Sequence, residues 1–275
     1  MPASALAFAL AAAFVHALWN ILLARARNPE AATAVALLVA VVVFAPIAAA
    51  VWKVDARVWP FLIATSAFEL LYFALLAAAY RRAHLSVVYP LARGTAPVFV
   101  LVVGVVVLGA GTSWRQVGGV VLVAAGVLLV RGARLRGGGA RDVLFWLPIA
   151  GCIATYTLID KHGIRYSTPL VYLELSMIVP ALAYAGAVAV AQGRESLRTE
   201  SNLASVVAGL ATFGAYALVL AALERASAAS VAAVRETSVV IATALAAMVL
   251  KEPVGRVRMS GAVLVAGGVA LISLT

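Results

Sequence analysis

The sequence predicts an all-α integral membrane protein of ten transmembrane helices, arranged as two inverted five-helix repeats. Three observations carry that expectation. Hydrophobic residues fill 65% of the 275 positions and charged residues only 12%, with a mean hydropathy of +1.07, a composition foreign to soluble domains. Apolar runs of roughly the 20 residues that a bilayer core demands recur along the whole chain. The two halves also match in a single register, and each half holds an odd number of such runs.

Taken in order, the first run covers residues 3–23. It is longer than the apolar region of a signal peptide, about 7–15 residues, and has no basic stretch before it, so it reads as a span. The second, 32–52, follows "RARNPE", and the third, 59–80, follows "KVDAR". "RRAH" precedes the fourth, 86–109, and "GAGTSWR" the fifth, 114–131. "RGARLRGGGARD" then supplies the one linker-like segment, dividing a first repeat at 1–136 from a second at 141–275. The second half places spans at 143–160, 169–191, 202–223, 229–250 and 257–274. Its connections are "DKHGIRYSTP", "QGRESLRTES", "ERAS" and "KEPVGRVR". The formal charge of +10 comes from Lys and Arg in these short gaps rather than from a patch interleaved with aromatics, which argues against nucleic acid as a partner. Cys152 is the single cysteine and sits in an apolar run, where it reads as a small packed residue.

The repeat appears when residue i is set against i+142. "QVGGVVLVAAGVLLV" (116–130) then lies on "RMSGAVLVAGGVALI" (258–272), with Gly119 on Gly261 and Gly126 on Gly268. In the same register Arg93 falls on Arg235 and Thr95 on Thr237. Five spans per half oblige the second half to enter the bilayer from the opposite side, the arrangement from which alternating access arises.

The chain resembles the EamA-type members of the drug/metabolite transporter superfamily. The resemblance rests on "HALWN" (16–20), "YPLARGTAPVF" (89–99), "YTLIDKHG" (156–163), "VRETSVV" (234–240) and "LKEPVG" (250–255), spread over the whole chain. One position departs from the pattern: Ala110 stands where the second half has Glu252. The resemblance implies a ten-helix carrier of small metabolites such as amino acids, sugars or drug-like solutes. No "GxxxxGK[ST]" phosphate loop is present, so a gradient rather than ATP would supply the energy.

Ionisable groups inside spans are expensive and by default face a cavity or a partner. Glu69 shares a face of the third span with Thr65 and Tyr72, so the three are expected to line one wall. Arg93 and Tyr89 lie four apart on the fourth span, where Pro90 and Pro97 disfavour a straight helix. Arg93 is thus expected on a kinked wall, available to an anionic solute group or to Glu69; the alternative is an arginine snorkelling to the interface. Arg235 and Glu236 hold the equivalent depth in the ninth span. Adjacent residues point about 100° apart, so one would face the solute while the other locks the helix, with Thr243 extending the Glu236 face. His16, Trp19 and Asn20 in the first span, and Tyr156 and Asp160 in the sixth, would form two layers flanking the site, unless they are ordinary interfacial anchors. Glu174 reads as interfacial.

The expected activity is secondary-active transport of amino-acid-like or drug-like solutes by alternating access. A channel-like facilitator or a non-transporting membrane subunit is the alternative. Enzyme chemistry is disfavoured because only three histidines exist, two of them in loops, and no "HExxH" or "GxSxG" motif occurs. No catalytic residue, metal or cofactor is expected. The expected partners are the bilayer, a small-molecule substrate and, as one candidate coupling ion, the proton, in a prokaryotic-type inner or plasma membrane. Six Lys and Arg residues fall on the side bearing both termini and thirteen on the other. The positive-inside rule therefore places the termini outside the cytoplasm, whereas the resemblance implies cytoplasmic termini.

Overall fold

The computed structural model describes residues 1–24, 26–82, 85–130, 140–250 and 255–274. Twelve α-helices run through them: α1 (Ala3–Ala24), α2 (Pro29–Ala50), α3 (Trp59–Arg82), α4 (Leu85–Val106), α5 (Trp114–Val130), α6 (Ala140–Gly163), α7 (Pro169–Gln192), α8 (Arg194–Glu200), α9 (Leu203–Leu223), α10 (Ala228–Arg235), α11 (Thr237–Leu250) and α12 (Arg256–Ser273). Among the described residues there is no strand, only an isolated antiparallel bridge between Val54 and Ser167.

Side-chain oxygens start several helices by accepting an orphan N–H of the first turn. Asn28 accepts from Ala31 N at 3.2 Å, Asn202 from Ser205 N at 3.1 Å and Ser227 from Ser230 N at 3.3 Å. Pro29 and Pro169 occupy first-turn positions, where a missing N–H does no harm. By length and composition α2, α7, α9, α12 and the segment Ala56–Ala79 can each cross a bilayer. Their outward surface is apolar too: Val42, Ile63 and Val190 are 71%, 69% and 89% exposed. A helix apolar on its outer face belongs against lipid.

Small residues let α5 and α12 approach backbone to backbone. A Cβ on Gly126 would lie 2.6 Å from the Gly261 carbonyl oxygen, and one on Gly119 would lie 2.7 Å from that of Gly268. The i+142 register turns the first of these contacts into the second. Such self-complementary pairing is what a two-fold relation produces.

Three expectations need correction. The run 229–250 is not one helix. It breaks at Arg235–Glu236, where Glu236 N bonds to Ala233 O and Val239 N to Glu236 O, i→i−3 turns in place of the α pattern. The Thr237 hydroxyl caps the Val234 carbonyl at 2.8 Å. Span four, with its two prolines, is by contrast an unbroken helix through Pro90 and Pro97; buried helices around a proline tolerate the lost N–H. "QGRESLRTES" is not a plain connection either, since it contains α8. The glycine linker at 137–139 lies outside the described residues.

Candidate functional site

Helices from both halves enclose a cavity of about 130 Å3. On its wall α1 contributes His16 and Trp19, α3 contributes Glu69, Tyr72 and Phe73, α4 contributes Arg93, and α6 contributes Tyr156. From the other side come Thr212, Phe213 and Tyr216 of α9 and Arg235 at the end of α10. One carboxylate and two guanidinium groups thus face a space walled by aromatic rings and aliphatic side chains.

The break in the ninth span explains how Arg235 and Glu236 diverge. Arg235 lines the cavity together with Tyr156. Glu236, the C-cap of α10, is only 2% exposed and points behind the wall. There its Oε1 sits 3.0 Å from Arg93 Nη2. Arg93 Nη2 is also 3.2 Å from His16 Nε2, a contact in which the arginine donates and the imidazole accepts. His16 meets Trp19 edge-on, with ring centroids 4.8 Å apart. The carboxylate beside Arg93 is therefore Glu236, contributed by the other half of the chain, and not Glu69.

A second polar cluster lies next to the cavity. Asp160 of α6 is 1% exposed and accepts three hydroxyls: Thr65 of α3 at 2.6 Å, Tyr172 of α7 at 3.0 Å and Tyr216 of α9 at 2.5 Å. An ionised carboxylate is acceptor-only and takes all three, joining four helices at one point. Tyr216 itself lines the cavity, so it links this cluster to the wall. The Oε2 atoms of Glu69 and Glu236 have no hydrogen-bond partner among the described residues.

Of the residues singled out in the sequence, His16, Trp19, Glu69, Tyr72, Arg93, Tyr156 and Arg235 come together on one cavity. Thr65, Asp160 and Glu236 stand behind it as the groups that hold wall residues in place. Thr65 is therefore not on the wall with its neighbours of one and two turns away; its hydroxyl turns to Asp160. The side chains of Asn20, Tyr89 and Thr243 lie outside the described residues. Glu174, expected at an interface, is buried at 4% exposure. Sequence reasoning missed Tyr216 and Thr212. Their spacing of four on an otherwise apolar span is the same signal that marked Thr65 and Glu69.

The model of the EamA-like transporter family matches twice, over residues 3–132 and 143–274. A crystal structure of a protein at 17% sequence identity superposes on 100% of this chain and 98% of its own, with a TM-score of 0.78. At that identity the likeness speaks for the fold alone. No protein of curated function matches the chain.

Proposed function

The chain belongs to the EamA-like transporter family, a multi-pass membrane transporter of the drug/metabolite type, and from that premise we propose that it is a secondary-active carrier of small amino-acid-like or drug-like solutes working by alternating access. In this reading ten spans form two inverted five-helix repeats, residues 1–136 and 141–275, in a prokaryotic-type inner or plasma membrane. The broken ninth span counts as one of the ten.

One observation carries the reading: the shared cavity holds Glu69 of the first half together with Arg235 of the second, with Arg93, already paired with Glu236, on the same wall among aromatic rings. Opposite charges across a small desolvated space fit a solute that carries both a carboxylate and an ammonium, and ring faces fit its apolar or cationic part. The exchange of inward-open and outward-open shapes would act on contacts that join the halves, chiefly the α5–α12 seam and the Arg93–Glu236 pair. If a proton is coupled, Glu69 is the group to carry it, because Glu236 is held by Arg93.

Purified protein in detergent, screened for thermal stabilisation by a panel of amino acids, sugars and drug-like solutes, tests the proposal. Amino-acid-like zwitterions or drug-like cations should raise the melting temperature of the wild type and lose that effect in Glu69→Gln. Stabilisation by sugars alone, or by nothing in the panel, would contradict it.

A further inference from the structure

We propose a second binding site, for a phosphate-bearing anion, in a groove of about 610 Å3 between the α2–α3 connection and the start of α7. Three of its lining side chains are basic: Lys53, Lys161 and Arg165. The two acids that line it are already engaged. Arg57 donates to Asp55 from Nε at 3.0 Å and from Nη2 at 2.7 Å, which holds the Asp55 carboxyl down to about 2. Arg225 lies 2.8 Å from Glu224. Neither Arg57 nor Arg225 lines the groove, so the three cations face it without a committed counter-charge.

Their surroundings sharpen that imbalance. Burial pushes the Lys161 ammonium below its usual value, and the neighbouring Arg165 pushes it the same way. The Lys161 ammonium donates to the Leu223 carbonyl, while Lys53 and Arg165 form no ion pair or side-chain hydrogen bond among the described residues. An anion seated between them would relieve this repulsion.

The frame is built rather than floppy. Asp55 N donates to Tyr166 O at 2.8 Å and Thr168 N to Lys53 O at 3.3 Å, tying the two connections together. Tyr166 stacks on Phe61 at 5.7 Å and takes Arg57 over its ring at 4.9 Å. Thr168, the N-cap of α7, makes no side-chain cap bond; its hydroxyl donates to Val51 O instead. The positive end of a 24-residue helix therefore adds to the basic groove.

Position selects the source of the phosphate. Trp52 and Trp59, 57% and 50% exposed, bracket the α2–α3 connection, and exposed indoles sit at the headgroup layer of a bilayer. The phosphodiester of an anionic lipid is the group this groove meets there; inorganic phosphate offers the same chemistry from solution.

The test compares wild type with Lys53→Gln/Arg165→Gln. Retained lipid is read by native mass spectrometry, and thermal midpoints are read with phosphatidylcholine alone, with added phosphatidylglycerol, and with inorganic phosphate in detergent. Each basic residue at the headgroup layer is worth about a fivefold change in affinity, so the double variant should bind phosphatidylglycerol about thirtyfold more weakly. Stabilisation by phosphatidylglycerol but not by phosphate assigns the lipid headgroup; stabilisation by phosphate as well assigns a phosphate site open to solution. Arg165→Lys, which keeps the charge, should retain most of the effect and separates charge from packing. Equal lipid retention and equal midpoint shifts in wild type and double variant, or no response of the wild type to either anion, would overturn the proposal.

Discussion

Removing one member of the Arg93–Glu236 pair should damage the protein far more than removing both. The two groups are 3.0 Å apart, with side chains 6% and 2% exposed. At an effective dielectric of about 20 the attraction at that separation is roughly 5–6 kcal/mol, a gross figure that desolvation largely opposes. Arg93→Ala leaves a carboxylate stranded, and Glu236→Gln leaves a guanidinium with only His16 and its remaining neighbours. Each single change should lower stability by about 3–5 kcal/mol. For a chain of this size that is a fall of about 6–20 °C in the midpoint, at about 2–4 °C per kcal/mol. Arg93→Met/Glu236→Leu removes both charges and keeps apolar bulk, so its midpoint should return to within a few degrees of wild type. The assay is thermal unfolding of the four purified proteins in one detergent, read as a double-mutant cycle. A double variant as unstable as the sum of the singles, or singles that melt with the wild type, would refute the idea that this pair is a mutually neutralising lock between the halves.

Further expectations concern the cavity, the seam and the topology. Glu69→Gln should abolish transport with the melting temperature unchanged, since its Oε2 has no partner among the described residues to lose; transport at the wild-type rate in proteoliposomes would count against it. Gly126→Ala pushes a Cβ to 2.6 Å from the Gly261 carbonyl and should cost about 1–3 kcal/mol, whereas Gly151→Ala, with nothing within 4 Å of the new atom, should melt with the wild type. The charge count predicts that a C-terminal phosphatase fusion is active and a fluorescent-protein fusion dark; the reverse pattern would show cytoplasmic termini.

Much of the architecture was legible because bilayer length and apolarity impose it. The expected spans 169–191 and 114–131 differ from α7 (Pro169–Gln192) and α5 (Trp114–Val130) by a residue at one end. The break in the ninth span was not legible, since "AAVRETSVV" contains no glycine or proline. Tertiary forces make it: Glu236 turns to Arg93, and the Thr237 hydroxyl takes the carbonyl that the turn releases. Pro90 and Pro97, by contrast, do not interrupt α4, which runs on through both. Charges within apolar runs announced themselves as site candidates. Their partners did not, since pairing Arg93 with Glu236 rather than Glu69 depends on how the two halves dock. Asp160 was visible as a polar residue near a helix end, but not its three hydroxyl donors, which come from three other helices.

In the proposed mechanism one charged cavity is presented alternately to the two sides of the membrane. Counterflow in proteoliposomes tests it most directly: vesicles are loaded with a solute that stabilises the protein, and uptake of the labelled solute is followed over a range of external concentrations. A carrier predicts saturating uptake that is accelerated by solute on the opposite side and lost in Glu69→Gln. Uptake that rises linearly with concentration and ignores the solute inside would contradict the account and identify a pore.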